Sequence, residues 1–204
     1  MVDGWLNARG ETLSAFTVGL LNALHAFKGN EVSAHELARG GIHIEQDLVK
    51  EQVGSQDQVS AAFGGFNRVE FKSDGEILVR PVSADVTRIK LLNKYLMLFY
   101  TRIVRTASTI AQSYVPELSS KGAQLHRMSD MVDEALAILA GTGSLDAFGE
   151  LLDEGWMEKR SLGKQVTTPH IDEIYRKAKS AGAVGGKLTG AGGGGMLLLY
   201  VPED

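Results

Sequence analysis

No cysteine occurs among the 204 residues, which removes disulfide frameworks, thiolate metal sites and thiol nucleophiles from consideration. Positive charge is not in excess either. Against 25 Asp and Glu stand 21 Lys and Arg, a formal net charge of −4, so the chain lacks the basic footprint of a nucleic-acid binder. No apolar run approaches the ~20 residues needed to span a bilayer, and Asp3 and Asn7 fall where a signal peptide would need its apolar core. These absences predict a soluble, cytoplasmic protein with neither nucleic acid nor membrane as partner. The five histidines, His25, His35, His43, His126 and His170, are scattered without metal-ligand spacing. Glycine is the one excess, with 24 residues, roughly 12% against a usual ~7%, clustered near the C-terminus.

Residues 1–13 show no periodicity and read as an irregular lead-in. From Ala15 the positions Phe16, Leu20, Leu24 and Phe27, widened by Val18 and Leu21, recur at helical spacing and predict a buried helix that stops at Gly29. Ser33 to Glu36 forms a capping box ahead of a second helix that should break near Gly40-Gly41. A third helix carries Ile42, Ile44, Glu45 and Leu48. Val59 to Phe63 is a short apolar piece. Asp74-Gly75 then separates Val69-Glu70-Phe71 from the run Ile77 to Val82, a hairpin signal.

Leu96 to Tyr100 predicts a buried strand. Pro116 to Ala140 and Leu145 to Leu162 are helical patterns, the second with a pause near Gly155. Thr168-Pro169 is an N-cap with proline at the first helical position, and Ile171, Ile174, Tyr175 and Ala178 face inward. Strands at Val184 to Leu188 and Met196 to Val201 flank a glycine loop. Helices, hairpin, strand, helical block and closing strands without βα alternation predict an α+β fold. There is no internal repeat or low-complexity linker.

Two stretches carry candidate chemistry. In Gly54-Ser55-Gln56-Asp57-Gln58 a carboxylate stands between two amides on a turn after a helix, where it could act as acid or base beside a polyhydroxylated substrate. A capping or turn role is the commoner fate of such an Asp. Glu45 could supply an oxygen to Mg2+, or could belong to a solvated face with Asp47 and Glu51. The second stretch is Gly185-Gly186-Lys187-Leu188-Thr189-Gly190-Ala191 running into Gly192 to Gly195. Four consecutive glycines exceed what a hairpin requires and predict close approach of another backbone or a ligand. The pattern is neither a P-loop, which needs Gly-Lys followed by Ser or Thr and then a helix, nor a Rossmann fingerprint. Arg102 and Arg105 follow the Leu96 to Tyr100 strand, within reach of an anionic substrate or simply at an exposed strand end.

Together these stretches resemble the GHMP kinase superfamily, and within it the heptose-kinase branch. The resemblance rests on Gly54 to Gln58 leading to Ala61-Ala62-Phe63-Gly64-Gly65-Phe66-Asn67, on Leu96 to Thr101 with Arg105, on Trp156 with Lys159-Arg160-Ser161-Leu162, and on the Gly185 to Gly195 loop. It covers nearly everything from Ser14 onward. It implies that Asp57 is the catalytic aspartate and that Glu45, twelve positions earlier, binds Mg2+. It further implies that Ser14, Gly190, Gly192, Gly193 and Gly194 line the ATP site, and that Gln56, Gln58, Arg105 and Lys187 contact a small-molecule sugar phosphate. The implied reaction is transfer of the ATP γ-phosphoryl group to a sugar hydroxyl.

The chain also departs from the family pattern. The strand-rich start of the family is absent. Where a phosphate-wrapping Gly-Leu-Gly-Ser-Ser-type loop should precede the first helix stand Asn7 to Ser14, of which only Ser14 fits, and Glu11 introduces negative charge. Arg102 stands where the family has glycine. The implied layout is a lead-in at 1–13, the C-terminal part of a ribosomal-S5-like domain at 14–84, and a ferredoxin-like GHMP kinase C-terminal domain at 85–204. A truncated sugar kinase is expected, associating with itself or with a missing N-terminal fragment. The competing expectation is a non-catalytic remnant that binds a ligand or dimerises.

Overall fold

A computed structural model describes residues 11–51, 53–104 and 107–203. They divide into two compact units, Met1–Val82 and Ser83–Asp204. Helices and small antiparallel sheets make up both, an α+β architecture.

In the first unit three helices pack on one another: α1 (Glu11–Phe27), α2 (Ala34–Ile42) and α3 (Gln56–Phe63). The capping box forms as the sequence predicts, with the Ser33 side chain accepting from Glu36 N–H and the Glu36 carboxylate accepting from Ser33 N–H at 2.8 Å. Gly40-Gly41 does not break the helix. A Cβ on Gly41 would lie 3.0 Å from Val18 Cγ2 and 3.5 Å from the Gln58 side chain, so glycine here serves the close crossing of α2 over α1 and α3. The chain runs on from α2 into a π-helical turn, His43–Leu48, where a third α-helix was expected.

α1 corrects the sequence reading twice. It starts at Glu11, within the expected lead-in, and its buried side is not the periodic apolar one. Val18 is buried together with Ser14 and Thr17, whereas Phe16, Leu20, Leu24 and Phe27 are exposed. Periodicity identifies an apolar stripe but not the layer that covers it. Among the described residues of this unit the strands are those of one hairpin, β1 (Asn67–Phe71) and β2 (Ile77–Pro81), paired antiparallel from Asn67↔Pro81 to Phe71↔Ile77. Its turn uses Gly75 at φ +85°, and the Asp74 carboxylate accepts from Glu76 N–H at 2.9 Å, as the Asp-Gly signal predicts.

The second unit holds a three-stranded antiparallel sheet of order β3-β5-β4, with β3 Leu96–Tyr100, β4 Gly185–Leu188 and β5 Met196–Tyr200. As an edge strand, β3 exposes Met97, Phe99 and Tyr100, which corrects the expectation of a buried strand. Helix α4 (Val86–Tyr95) escaped the sequence reading; Asp85 caps it through Thr87 N–H at 2.8 Å. After α5 (Ala107–Gln112), the run from Pro116 splits into a 3-10 turn, Val115–Ser120, and α6 (Gly122–Ala140). α7 (Asp146–Ser161) passes through Gly155 without a pause, and α8 (Pro169–Ser180) starts at its expected Thr168 cap. Trp156 and Val166 join Ile171 and Tyr175 of α8 in a core with Leu188, Leu197 and Leu199 of the sheet.

Small residues allow α7 to lie against β4. A Cβ on Gly185 would fall 1.9 Å from the Gly149 carbonyl oxygen, and one on Gly149 would fall 2.6 Å from the Tyr200 ring. Both obstacles are backbone or buried ring, so neither can swing aside. Gly185→Ala is therefore expected to destabilise this unit by about 3 kcal/mol, read as a lower urea midpoint at unchanged slope.

Candidate functional site

In the first unit the π-helical turn directs Glu45 inward, where it is 2% exposed. Its Oε2 accepts from Ser14 Oγ at 2.8 Å and from Gln58 Nε2 at 2.6 Å, which ties α1, the turn and α3 to one carboxylate oxygen. The other oxygen, Oε1, is buried without a partner, and so is the carboxamide oxygen of Gln58. Buried oxygens ordinarily find a donor or a cation. The solvated face considered for Glu45 is thus excluded; on the same turn it is Asp47 that is exposed, 2.8 Å from His43 Nδ1. π-Helical turns recur at functional sites because the extra residue re-aims side chains.

Asp57 lies in the first turn of α3 and is half-buried. The sequence placed it on a turn; the structure places it at a helix N-terminus, where the peptide dipoles favour a carboxylate. Its neighbour Gln58 is fully buried against Glu45, while Gln56 is exposed. Gln46, which the sequence did not single out, fixes the connection between the turn and α3 by donating to the Val53 carbonyl at 2.9 Å and lying 3.1 Å from Ser55 Oγ. A glutamine on a polar helix turn gives no signal for such a role. Ser14, Glu45, Asp57 and Gln58 therefore come from segments brought together by the packing of α1, α2 and α3.

In the second unit the glycine loop is closed by its own chain. Gly190, Gly192, Gly193 and Gly195 all take positive φ. A Cβ would lie 2.7 Å from the Val166 carbonyl oxygen at Gly192, 2.7 Å from Ile110 Cδ1 at Gly193 and 2.7 Å from the Ile103 carbonyl oxygen at Gly194. Gly193 N–H donates to Val166 at 2.8 Å and Gly195 N–H to Ile103 at 3.1 Å. Of the two alternatives open in the sequence, approach of the chain's own atoms accounts for Gly192 to Gly194, backbone at Gly192 and Gly194 and the Ile110 side chain at Gly193; all three are buried, and Gly190 and Ala191 remain half-exposed. Lys159 of α7 donates to the Gly190 carbonyl and anchors that end of the loop. Arg102, where the resemblance leads one to expect glycine, is exposed and takes φ +60°, a conformation that glycine favours. Arg105 lies outside the described residues.

Lys187 of β4 stands opposite Leu198 of β5. Burial holds its ammonium below the ordinary lysine pKa, with no carboxylate among the described residues offsetting it. A folded-state pKa below the unfolded one means that the unfolded chain binds more protons. The penalty is complete below the folded-state pKa and fades as pH rises from there toward the unfolded lysine value near ~10.4. Lys187→Met is expected to stabilise the protein by roughly 1 kcal/mol while the lysine is charged, with the difference from wild type shrinking as pH rises toward the unfolded lysine value near ~10.4. Urea unfolding at a series of pH values measures it.

Residues 131–204 match the family described as GHMP kinases C terminal. Over 190 residues the chain is 27% identical to a D-glycero-alpha-D-manno-heptose 7-phosphate kinase of Campylobacter jejuni, covering 92% of this chain and 56% of that protein. It is 28% identical over 193 residues to a mevalonate kinase of Thermococcus onnurineus, covering 93% and 55%. The crystal structure of a D-glycero-D-manno-heptose 1-phosphate kinase from Bacteriodes thetaiotaomicron superposes with a TM-score of 0.66 at 26% identity, over 92% of this chain and 51% of that one. The chain spans about half the length of the relatives it matches. Fold and sequence thus agree on an α+β protein similar to these kinases, with residues 131–204 matching the C-terminal domain of the GHMP kinases.

Among the described residues no helix is long and apolar enough to cross a membrane, and no three His, Cys, Asp or Glu side chains gather as a ready metal site.

Proposed function

We propose that this chain belongs to a cytoplasmic, ATP-dependent kinase that phosphorylates a hydroxyl of a heptose phosphate or related sugar, the acceptor class named for the Campylobacter jejuni relative. The observation that carries the proposal is the buried Ser14–Glu45–Gln58 cluster, in which one carboxylate oxygen is held by two donors and the other is buried without a partner. Those residues fit Mg2+, which takes one or two protein carboxylates plus phosphate and water oxygens rather than an all-protein cage. Glu45 Oε1 would hold the ion, with the Ser14 hydroxyl beside it. Mg2+ held there would neutralise charge on the phosphates of ATP.

The remaining work falls to the chain's own side chains. Asp57 accepts a hydrogen bond from the acceptor hydroxyl and takes its proton as the oxygen attacks phosphorus. Its place on the first turn of α3 keeps the carboxylate oriented. Gln58 holds Glu45 in its rotamer. Gln56 contacts the acceptor; in the second unit Arg105 and Lys187 are the candidates for contact with a phosphate. Gly190 is the accessible part of a loop lining the nucleotide, backed by Gly192, Gly193 and Gly194.

Incubation with Mg-ATP and D-glycero-D-manno-heptose 7-phosphate, followed by phosphorus NMR, tests the reaction. Formation of ADP and a sugar bisphosphate, absent in Asp57→Ala, is the expected result. ADP release that ignores the sugar, or that persists in Asp57→Ala, would reject it.

A further inference from the structure

Gln58 has bonding capacity that its contact with Glu45 does not use. The side chain is wholly buried, at 0% exposure. Its Nε2 donates to Glu45 Oε2 at 2.6 Å, while its carboxamide oxygen has no partner. Chemistry fixes which way the amide faces: turned over, it would set two acceptors against each other, because a carboxylate oxygen cannot donate. Packing fixes the stem as well. It runs beside Gly41 of α2, where a Cβ would stand 3.5 Å from both Cβ and Cγ of Gln58, and it leaves the backbone in the first turn of α3.

Two buried oxygens without partners, Oε1 of Glu45 and Oε1 of Gln58, thus belong to one cluster, joined through the other ends of the two groups. Both donors that reach Glu45, the Ser14 hydroxyl and the Gln58 amide, are neutral. A water molecule could satisfy the hydrogen bonding of these oxygens but not the charge of the carboxylate, and buried charges are paired or coordinate metals. A cation meets both needs. Glutamine carbonyls are ordinary ligands of hard cations such as Ca2+.

We infer that the carboxamide oxygen of Gln58 is a protein ligand of the divalent cation held by Glu45, and that an amide rather than a carboxylate at this position makes cation binding depend on nucleotide. One carboxylate and neutral oxygens leave a divalent ion with net positive charge in a buried site, which is costly. The phosphates of a nucleotide supply the missing negative charge. Resting on the metal–nucleotide reading of the site, the assignment gives Gln58 a direct contact with the ion in addition to its hold on Glu45.

A crystal structure of the wild-type protein with Mg2+ and a non-hydrolysable ATP analogue reads that contact. The expected ion lies about 2.1 Å from both Glu45 Oε1 and Gln58 Oε1. An ion on Glu45 with water between it and Gln58 overturns the assignment and leaves the metal–nucleotide reading standing; no ion beside Glu45 overturns both. Titration calorimetry tests the dependence on nucleotide. Gln58→Glu is expected to bind Mg2+ alone about tenfold or more tightly than wild type, because a second carboxylate completes the neutralisation. Its melting temperature should rise on adding MgCl2, since adjoining buried carboxylates repel until an ion separates them. Gln58→Met keeps the length of the side chain without its oxygen, and is expected to bind Mg2+ with the analogue about tenfold or more weakly. Gln58→Glu that binds Mg2+ no better than wild type, or Gln58→Met that binds Mg2+ with the analogue as tightly, overturns the assignment. If Gln58→Glu does not fold, the wild-type structure and Gln58→Met decide.

Discussion

Replacing Asp57 by asparagine is expected to lower the turnover of phosphoryl transfer by 10^2- to 10^4-fold, the usual contribution of a positioned general base, while the KM for ATP changes only a few-fold. Asparagine keeps the shape of the side chain and its hydrogen-bonding reach but cannot take the acceptor proton. The structural cost is small by comparison. Asp57 stands in the first turn of α3, and losing a carboxylate from a helix N-terminus costs about 0.3–1 kcal/mol. Initial rates of ADP formation and a urea titration separate the two effects. If Asp57 were only a capping residue, stability would fall and the rate of the folded enzyme would not.

Glu45→Gln is expected to weaken Mg2+-dependent nucleotide binding by about 10^2-fold or more, yet to change the stability of the free protein by no more than about 1 kcal/mol. The amide oxygen of glutamine can still accept from Ser14 Oγ and Gln58 Nε2, which both converge on Oε2. The amide nitrogen would then occupy the place of Oε1, where a donor repels a cation. Losing a buried charge while retaining its hydrogen bonds is close to neutral for folding. Thermal unfolding with and without Mg-ATP reads both quantities: the melting temperature of the free protein stays near wild type, and the upward shift on adding ligand disappears.

Features legible in the sequence are those fixed by neighbouring residues. The Ser33–Glu36 capping box, the Asp74-Gly75 hairpin and the Thr168-Pro169 helix start each depend on three or four consecutive positions, and each forms as expected. What the sequence misjudged depends on distant partners. Gly40-Gly41 looks like a helix break, but its role is set by Val18 and Gln58 on other helices. The outer stripe of α1 looks like core because periodicity carries no information on what lies opposite. Strand β3 looks buried from its composition and is an edge, since strand order follows from pairing with β5. Helix α4 ends at Tyr95 and passes into β3 at Leu96 with no Gly or Pro between them, so no local stop marked it.

The candidate site divides in the same way. Glu45 and Ser14 are 31 positions apart, and Gln58 is 13 beyond Glu45. Nothing in their spacing joins them. The residues themselves offered Asp57 and Glu45 as candidates, resemblance to the GHMP kinases added Ser14, and the packing of α1, the π-helical turn and α3 shows Ser14 and Gln58 converging on one oxygen of Glu45. The π-helical turn that aims Glu45 inward, and Gln46 that fixes the following connection, leave no mark in composition or periodicity. For the glycine loop the sequence indicated close approach, and the structure supplies the partners, Ile103, Ile110 and Val166.

Titration calorimetry of Mg-ATP into the wild-type and Glu45→Gln proteins, each repeated with EDTA in place of Mg2+, tests the Ser14–Glu45–Gln58 site most directly. A single saturable site is expected for the wild type, weakened about 10^2-fold or more by EDTA and to a similar degree by Glu45→Gln. ATP affinity that is the same with and without Mg2+, or untouched by Glu45→Gln, would contradict a metal–nucleotide role for the cluster.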